Sequence, residues 1–394
     1  MRNGKTNIDS EDEESDAAAY SSSEDEKNDS ESEEEFEWRD NEALDDPKRP
    51  VRRKSLFKNL PDHYSAMTAV QVWQLLVPTS VVAVIVEETN RYAQQNERKQ
   101  NAIDPLNPNQ RNRWTPLTVS ELYCFFGLCV AMSIGPKGNY KTYWSNEIRG
   151  GYISPQFGRI MPRKRYEQIK SNLHFTNNDV LVPPGAPGYA KLGKLGTVLN
   201  GIVSTFPHYM QMGTNLNVDE GMIRSRHRSH LRQYLPKKPD KYGIKCWCLN
   251  CSDTGYFFAV IPYAGRRPGE QPTKNLATAS VLQCIDAVGG LPLGAIVAMD
   301  RFFTSPLLFR ELLDRGYDAV GTVMTNRRFY PADLIKVPKG EPRGTIKYAT
   351  TSNGDMMALT WYDNKEVNML TTKFDPTGVK VKRKAYDKLK TNHN

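Results

Sequence analysis

Apolar residues recur at helical spacing over 64–77 and again over 80–98, with Pro78 between them, which predicts two helices separated by a break. The following stretch, 99–113, is rich in Asn, Gln and Arg and reads as a loop. A third helix is expected over 115–132, where Thr118 followed by Glu121 three residues on forms a capping-box pattern. A fourth starts at Met161-Pro162-Arg163-Lys164-Arg165 and runs to Leu173. Pro183, Pro184, Gly185, Pro187 and Gly188 then interrupt the chain, which puts a domain boundary near 180–190.

From Leu216 the period changes to two. Leu216 and Val218 alternate with Asn217 and Asp219, as in a strand with one apolar face. Strands are expected at 243–250 and 255–262, joined by Asp253-Thr254-Gly255, and then a helix over 273–287 with Ala277, Val281 and Cys284 on one stripe. The apolar run 294–299 ends at Asp300; a helix follows Thr304-Ser305-Pro306 to Arg315, and 318–323 is another strand. After a proline-broken loop, 344–351, 355–362 and 366–372 read as three short strands turned at Asn353-Gly354 and Asp363-Asn364-Lys365.

Charge changes this picture at both ends. Of the 394 residues, the first 46 carry a net charge of −15, whereas the remainder carries +23 beneath an overall +8. The acidic stretch has almost nothing to bury and is expected to be disordered. It reads either as a solubilising tail or as a polyanion that competes with nucleic acid for the basic body, or binds a partner. Ser10, Ser15, Ser23 and Ser30 precede acidic residues and suit an acid-directed kinase. Lys48, Arg49, Arg52, Arg53 and Lys54 form a basic run that reads as a nuclear import signal, a phosphate-contacting arm or a charged linker. A body with this excess attracts polyanions. No apolar run reaches the roughly 20 residues of a membrane span, the N-terminus does not read as a secretory signal, and six cysteines do not suggest a disulfide framework.

Two aspartates carry the candidate chemistry. Asp219 lies on one strand and Asp300 at the tip of another, 81 residues later, and a mixed sheet flanked by helices can bring them together. Paired carboxylates are what two-metal phosphoryl transfer requires, holding Mg²⁺ ions about 4 Å apart. A solvated turn or cap role is the competing reading, since acidic residues are common at strand ends. Cys246, Cys248 and Cys251 are better read as core thiols than as zinc ligands, and His227 and His230 as surface residues near DNA.

These residues fall within an ordered series of motifs. It comprises Trp114-Thr115-Pro116-Leu117-Thr118, Tyr143-Trp144, Leu173-His174-Phe175, Val218-Asp219-Glu220 and the spaced set from Gln233-Tyr234 through Pro236, Lys238-Pro239, Lys241 and Gly243 to Lys245. Asp253-x-Gly255-Tyr256, Asp300-x-Phe302-Phe303-Thr304-Ser305, Gly321-Thr322 and Asn326-Arg327 complete it. In this order the series resembles the piggyBac transposase family over 110–375. The resemblance implies a ribonuclease H-like core in which an aspartate triad cuts and rejoins double-stranded DNA with Mg²⁺ at TTAA targets in the nucleus. It puts the first two catalytic, metal-holding aspartates at Asp219 and Asp300. Arg224, Arg226, Arg228, Arg232, Lys237, Lys238, Lys241 and Lys245 would then contact DNA phosphates beside them. A homodimer is left open.

The sequence departs from the family pattern as well. The motif holding the family's third aspartate and its cysteine-rich zinc-binding domain are not found in this sequence, so it is read as C-terminally truncated and as unable to carry out full transposition. Arg301 follows Asp300 where the family has Asn, and Ser225, His227 and Met324 replace Phe, Gly and Arg. Asp363 and Asp375 are the substitutes available by position, and both look like turn residues. The alternative to a transposase is therefore a catalytically inactive, domesticated or truncated DNA-binding protein.

The expected fold is α/β: a ribonuclease H-like mixed sheet core with an all-β insertion, preceded by a mostly helical N-terminal domain and a disordered acidic tail. Its expected boundaries are 1–46 for the tail, 47–60 for a basic linker and 61–185 for the helical domain. An incomplete ribonuclease H-like core over 186–328, the insertion at 329–375 and a basic tail at 376–394 follow.

Overall fold

The computed structural model describes residues 36–40, 53–103, 113–145, 148–149, 152–153, 155–227, 229, 231–236, 238–265 and 275–376. Two compact units result, one spanning Leu56–Gln211 and the other built from the chain on either side of it. The first strand, β1 (Trp38–Asp40), belongs with strands far downstream.

The Leu56–Gln211 unit is helical. It holds β2 (Leu56–Phe57), α1 (Ala69–Leu76), α2 (Thr79–Ile103), α3 (Val119–Ile134), β3 (Ile148–Arg149), β4 (Tyr152–Ile153) and α4 (Arg163–Asn172). After the Pro- and Gly-rich stretch come α5 (Gly196–Val203), α6 (Phe206–Tyr209) and β5 (Met210–Gln211), which pairs with β2. Thr68 and Gln71 form a reciprocal capping box at α1, and Pro78 separates α1 from α2 by supplying the carbonyl for the first turn of α2. The helix α2 continues to Ile103, into the polar stretch expected to be loop. Straight-chain Gln, Glu, Arg and Lys residues there are good helix formers, so polarity alone does not end it.

Val82, Ile85, Leu122, Phe125, Leu128 and Ile169 form the centre of this unit, and Val198 of α5 joins the same apolar cluster. The Trp114–Thr118 motif has a packing role: Asn90 on α2 accepts from the Trp114 indole at 2.9 Å and from the Leu117 amide at 2.7 Å, and donates to the Leu117 carbonyl. Thr118 caps α3 by accepting from the Glu121 amide, while Glu121 receives two hydrogen bonds from Arg165, whose guanidinium covers the Trp114 ring.

His174, from another of the motifs, is also structural. Its ring stacks on Tyr92 at 3.5 Å between centroids, with Nδ1 donating to the Leu173 carbonyl and Nε2 accepting from Asn178. Burial holds its pKa below the usual histidine value, against the favourable bonds to Leu173 and Asn178. The unfolded chain therefore takes up the proton first as pH falls. The His174 contribution to stability is complete above about pH 6.5 and declines as pH falls through that value towards the lower folded pKa. Thermal melts between pH 7.5 and 5 are expected to show this decline, and His174→Phe, which keeps the stack, is expected to flatten it.

The second unit is a mixed sheet. Its remaining strands are β6 (Asn215–Arg224), β7 (Arg232–Tyr234), β8 (Tyr242–Cys251), β9 (Phe257–Pro262), β10 (Ile296–Met299), β11 (Asp318–Thr322), β12 (Ile346–Thr351), β13 (Met357–Tyr362) and β14 (Glu366–Thr371). The helices α7 (Leu276–Asp286) and α8 (Pro306–Asp314) precede β10 and β11. Among the described residues the sheet order is β1-β12-β13-β14-β11-β10-β6-β8-β7, with β9 also paired to β8. Antiparallel β9-β8-β6 continues into parallel β10 and β11, the ribonuclease H-like order. The parallel pairs need helical crossovers, and α8 supplies one, capped by Ser305 with Pro306 in its first turn.

Gly321 is required by close packing, since a Cβ there would lie 2.5 Å from the Met299 carbonyl oxygen and against Thr304. The three late strands form the expected all-β segment and extend the same sheet, because β14 pairs antiparallel with β11. Within the acidic stretch, residues 38–40 depart from expected disorder by pairing as β1 with β12. Among the described residues, no single helix is long and apolar enough to cross a membrane.

Candidate functional site

The site grows from the alternation in β6. Leu216 and Val218 are buried, whereas Asp219 is exposed on the opposite face. Val218 pairs with Met299, the last residue of β10. Asp219 and Asp300 directly follow this last pair, so the two aspartates lie at the same end of the parallel strands, near enough for the charge of Asp219 to act on Asp300. The chain turns sharply there: the Asp300 carboxylate accepts from the Phe302 amide at 2.8 Å, and its carbonyl accepts from the Thr304 hydroxyl. Asp300 keeps an exposed edge, but desolvation by the surrounding turn, opposed by the Phe302 amide and reinforced by Asp219 and Glu220, pushes its carboxyl above the usual range.

Glu220 points to the other face of β6, which it shares with Trp247 and Lys245 on β8. Its two oxygens meet Lys238 at 3.0 Å and Lys245 at 2.9 Å. Burial works to raise Glu220, yet the two ammonium groups hold it below its usual value. Lys245 differs from its expected place on the phosphate-facing surface: it is 3% exposed. Its ammonium lies 4.0 Å from the Trp247 ring centroid, 5.0 Å from Phe302 and 6.0 Å from Tyr263. Burial lowers its pKa against the pull of Glu220. Lys238, although burial works to lower it, is held above the usual lysine value by Glu220, Asp219 and Asp300.

Arg327 completes the surround. Buried beyond β11, it donates to the carbonyls of Arg301 and Phe302 and so pins the turn that carries Asp300. Arg301 itself is exposed.

The remaining basic positions separate by environment. Arg226 and Lys241 are exposed, Arg224 is exposed and paired with Asp240 at 3.1 Å, and Arg232 packs its guanidinium over Tyr242. Arg228 and Lys237, like His230, lie outside the described residues. Tyr234 and Tyr242 stand with ring centroids 4.8 Å apart, both nearly half exposed, beside Arg232.

Sequence reasoning placed Glu220, Arg327 and Tyr234 in the motif series without giving them a role at the site, and it missed Tyr242. One signal was available for Lys245: it sits in a nearly continuous apolar run, Ile244 to Leu249, which marks a strand buried on both faces.

The donor set tests the expected metal. Asp219 and Asp300 are adjacent, but Glu220 is committed to two lysines, and Lys238 brings positive charge to the carboxylates. Among the described residues, no group of three or more His, Cys, Asp or Glu side chains could hold a metal ion. Asp363 turns to Arg343 at the β13–β14 hairpin, and Asp375 lies beyond β14 and is exposed. These donors do not fit a two-ion Mg²⁺ centre. The candidate zinc cysteines are buried; burial pushes the thiols of Cys246 and Cys248 up to about 11, which leaves both neutral core groups.

Known proteins are similar to this chain in sequence and in fold. A family profile described as Transposase IS4 matches residues 68–394. Human PiggyBac transposable element-derived protein 3 is 26% identical over 315 residues, covering 79% of this chain and 49% of that protein. Human PiggyBac transposable element-derived protein 2 is 25% identical over 310 residues, covering 77% and 48%. The chain thus spans about half the length of these relatives. The fold resembles that of a chain in a cryo-EM structure of the piggyBac transposase synaptic complex with hairpin DNA, with a TM-score of 0.65 at 20% identity over 79% of this chain and 62% of that one.

Proposed function

We propose, from the premise that this chain belongs to the piggyBac/DDE transposase superfamily, that it is a transposase-derived protein that binds double-stranded DNA and does not cut it. One observation carries this reading: the acidic side chain next to Asp219 is locked into ion pairs with Lys238 and Lys245, so the site offers two carboxylates where the two-ion reaction needs more. An incomplete carboxylate set loses the electrostatic stabilisation on which phosphoryl transfer depends.

The cations Arg224, Arg226, Arg232, Lys238 and Lys241 then serve as partners for backbone phosphates, for which Lys and Arg need no base sequence. Lys245 instead holds Glu220 in place from below. The relative solved with hairpin DNA in a synaptic complex supports DNA as the partner and an assembly of more than one chain. Family membership and the basic run at 48–54 fit work in the nucleus.

A second reading, residual Mg²⁺-dependent nicking, draws on the adjacency of Asp219 and Asp300 at the carboxyl end of a parallel strand. The two separate in one experiment on the full chain with supercoiled plasmid and millimolar Mg²⁺ or Mn²⁺. Saturable, salt-sensitive binding is expected, with nicking no greater than that of Asp219→Asn. Nicking abolished by Asp219→Asn establishes the enzyme instead, and absence of binding near about 0.1 M salt removes both readings.

A further inference from the structure

The first 46 residues contain three aromatic side chains, Tyr20, Phe36 and Trp38, and the last two belong to the segment that docks on the sheet. Trp38 pairs with Thr351, Arg39 with Thr350 and Asp40 with Ala349, while the Ser352 amide donates to the Glu37 carbonyl at 2.8 Å. From Phe36 to Arg39 the side chains alternate as an edge strand requires, Phe36 and Trp38 half-buried and Glu37 and Arg39 exposed, and Asp40 is exposed at the strand's end.

The receiving surface is built for those two rings. The Trp38 indole donates to the Phe329 carbonyl at 3.0 Å, and Phe36 lies 5.2 Å from the Phe329 ring between centroids. Phe329 holds a left-handed backbone (φ 64°), a conformation costly for an aromatic residue, while presenting that carbonyl. Arg310, fixed by a two-bond ion pair to Asp355, sets its guanidinium 5.5 Å from the Phe36 ring.

We propose that the β12 edge, with Phe329 and Arg310, is a docking groove for an extended acidic strand of the form Phe-acidic-Trp, and that its occupant is the chain's own segment 36–40 acting as a separable peptide. The main chain supplies binding through strand addition, and the two aromatics supply selectivity. The docked strand also covers an edge that would otherwise offer open backbone groups to other chains. Joined to the body, the segment competes at an effective concentration in the millimolar range, so a free peptide enters only when the resident strand is disabled. The proposal is independent of whether the protein cuts DNA.

The test uses the full chain and a fluorescein-labelled peptide of residues 34–42. Phe36→Ala/Trp38→Ala is expected to bind the peptide saturably and at least tenfold more tightly than wild type, and a peptide carrying the same two alanines is expected to bind neither. In hydrogen exchange the Ser352 amide should be protected in wild type, fast in the double variant, and protected again when peptide is added. Failure of a variant with wild-type circular dichroism to bind the peptide overturns the proposal. So does a Ser352 amide that exchanges at the unprotected rate in wild type, a measurement that does not depend on the variant folding.

Discussion

Glu220→Gln is expected to destabilise the sheet unit by about 3 kcal/mol, because it removes the negative charge that faces the buried Lys245 ammonium among aromatic rings. The figure stands at the lower end of the range for broken buried pairs, since Glu220 is 19% exposed and Lys238 shares it. Lys245→Met should cost far less, about 1 kcal/mol: a Met side chain fills the space against Trp247 and Phe302 and loses mainly the cation–π attraction. In that variant Glu220 keeps Lys238 as its partner. The double variant Glu220→Gln/Lys245→Met should therefore be more stable than Glu220→Gln alone. Urea denaturation followed by near-UV circular dichroism gives the three values and their coupling. Equal and additive losses would show that the two charges do not depend on each other, and the reason for regarding Glu220 as unavailable to a metal would go with them.

The coupling also explains what the sequence could and could not convey. Alternation at Leu216 and Val218 is a local signal, and so is the apolar run that ends at Asp300; both strands and the two aspartates follow from them. The parallel pairing of β6 with β10 is topological, and the motif series indicated it only through resemblance. The distinction between Asp219 and Glu220 was not legible, because it depends on the register of β8, which sets Trp247 opposite Glu220 and Lys245 opposite Met222. Lysines 238 and 245 fall in one basic segment; the apolar run around Lys245 points to a buried strand, and the antiparallel ladder sets that lysine against Glu220.

The acidic stretch shows the same limit in another form. Charge dominates it, so composition leads one to expect disorder throughout, yet Phe36 and Trp38 find partners at Phe329 and Thr351, about 300 residues away. In the helical unit the limit lay at a boundary. The Pro- and Gly-rich turns at 183–188 look like a linker, but α5 beyond them contributes Val198 to the core formed by Val82 and Ile85. A break in secondary structure is visible in one sequence; which side of it shares a core is not.

Arg226→Glu/Lys241→Glu is expected to weaken DNA binding by at least tenfold near 0.1 M salt, an order-of-magnitude figure for two cations that no longer neutralise phosphates. Both side chains are exposed, Arg226 just past the end of β6 and Lys241 just before β8, so reversal replaces attraction with repulsion without disturbing a buried side chain. For every phosphate left without its cation, the slope of log affinity against log salt should also fall by about 0.9. Lys336→Glu/Lys339→Glu makes the same change in net charge on an exposed loop after β11, and it is expected to leave most of the affinity in place. The informative comparison is Lys245→Met. A lysine that touches phosphate would lower the slope when removed, whereas one enclosed by Trp247, Phe302 and Glu220 should leave the slope unchanged while altering stability. A salt titration of these three variants by fluorescence anisotropy decides the matter. If Lys245→Met reduces the slope and Arg226→Glu/Lys241→Glu does not, the DNA-facing surface must be sought elsewhere on the sheet unit.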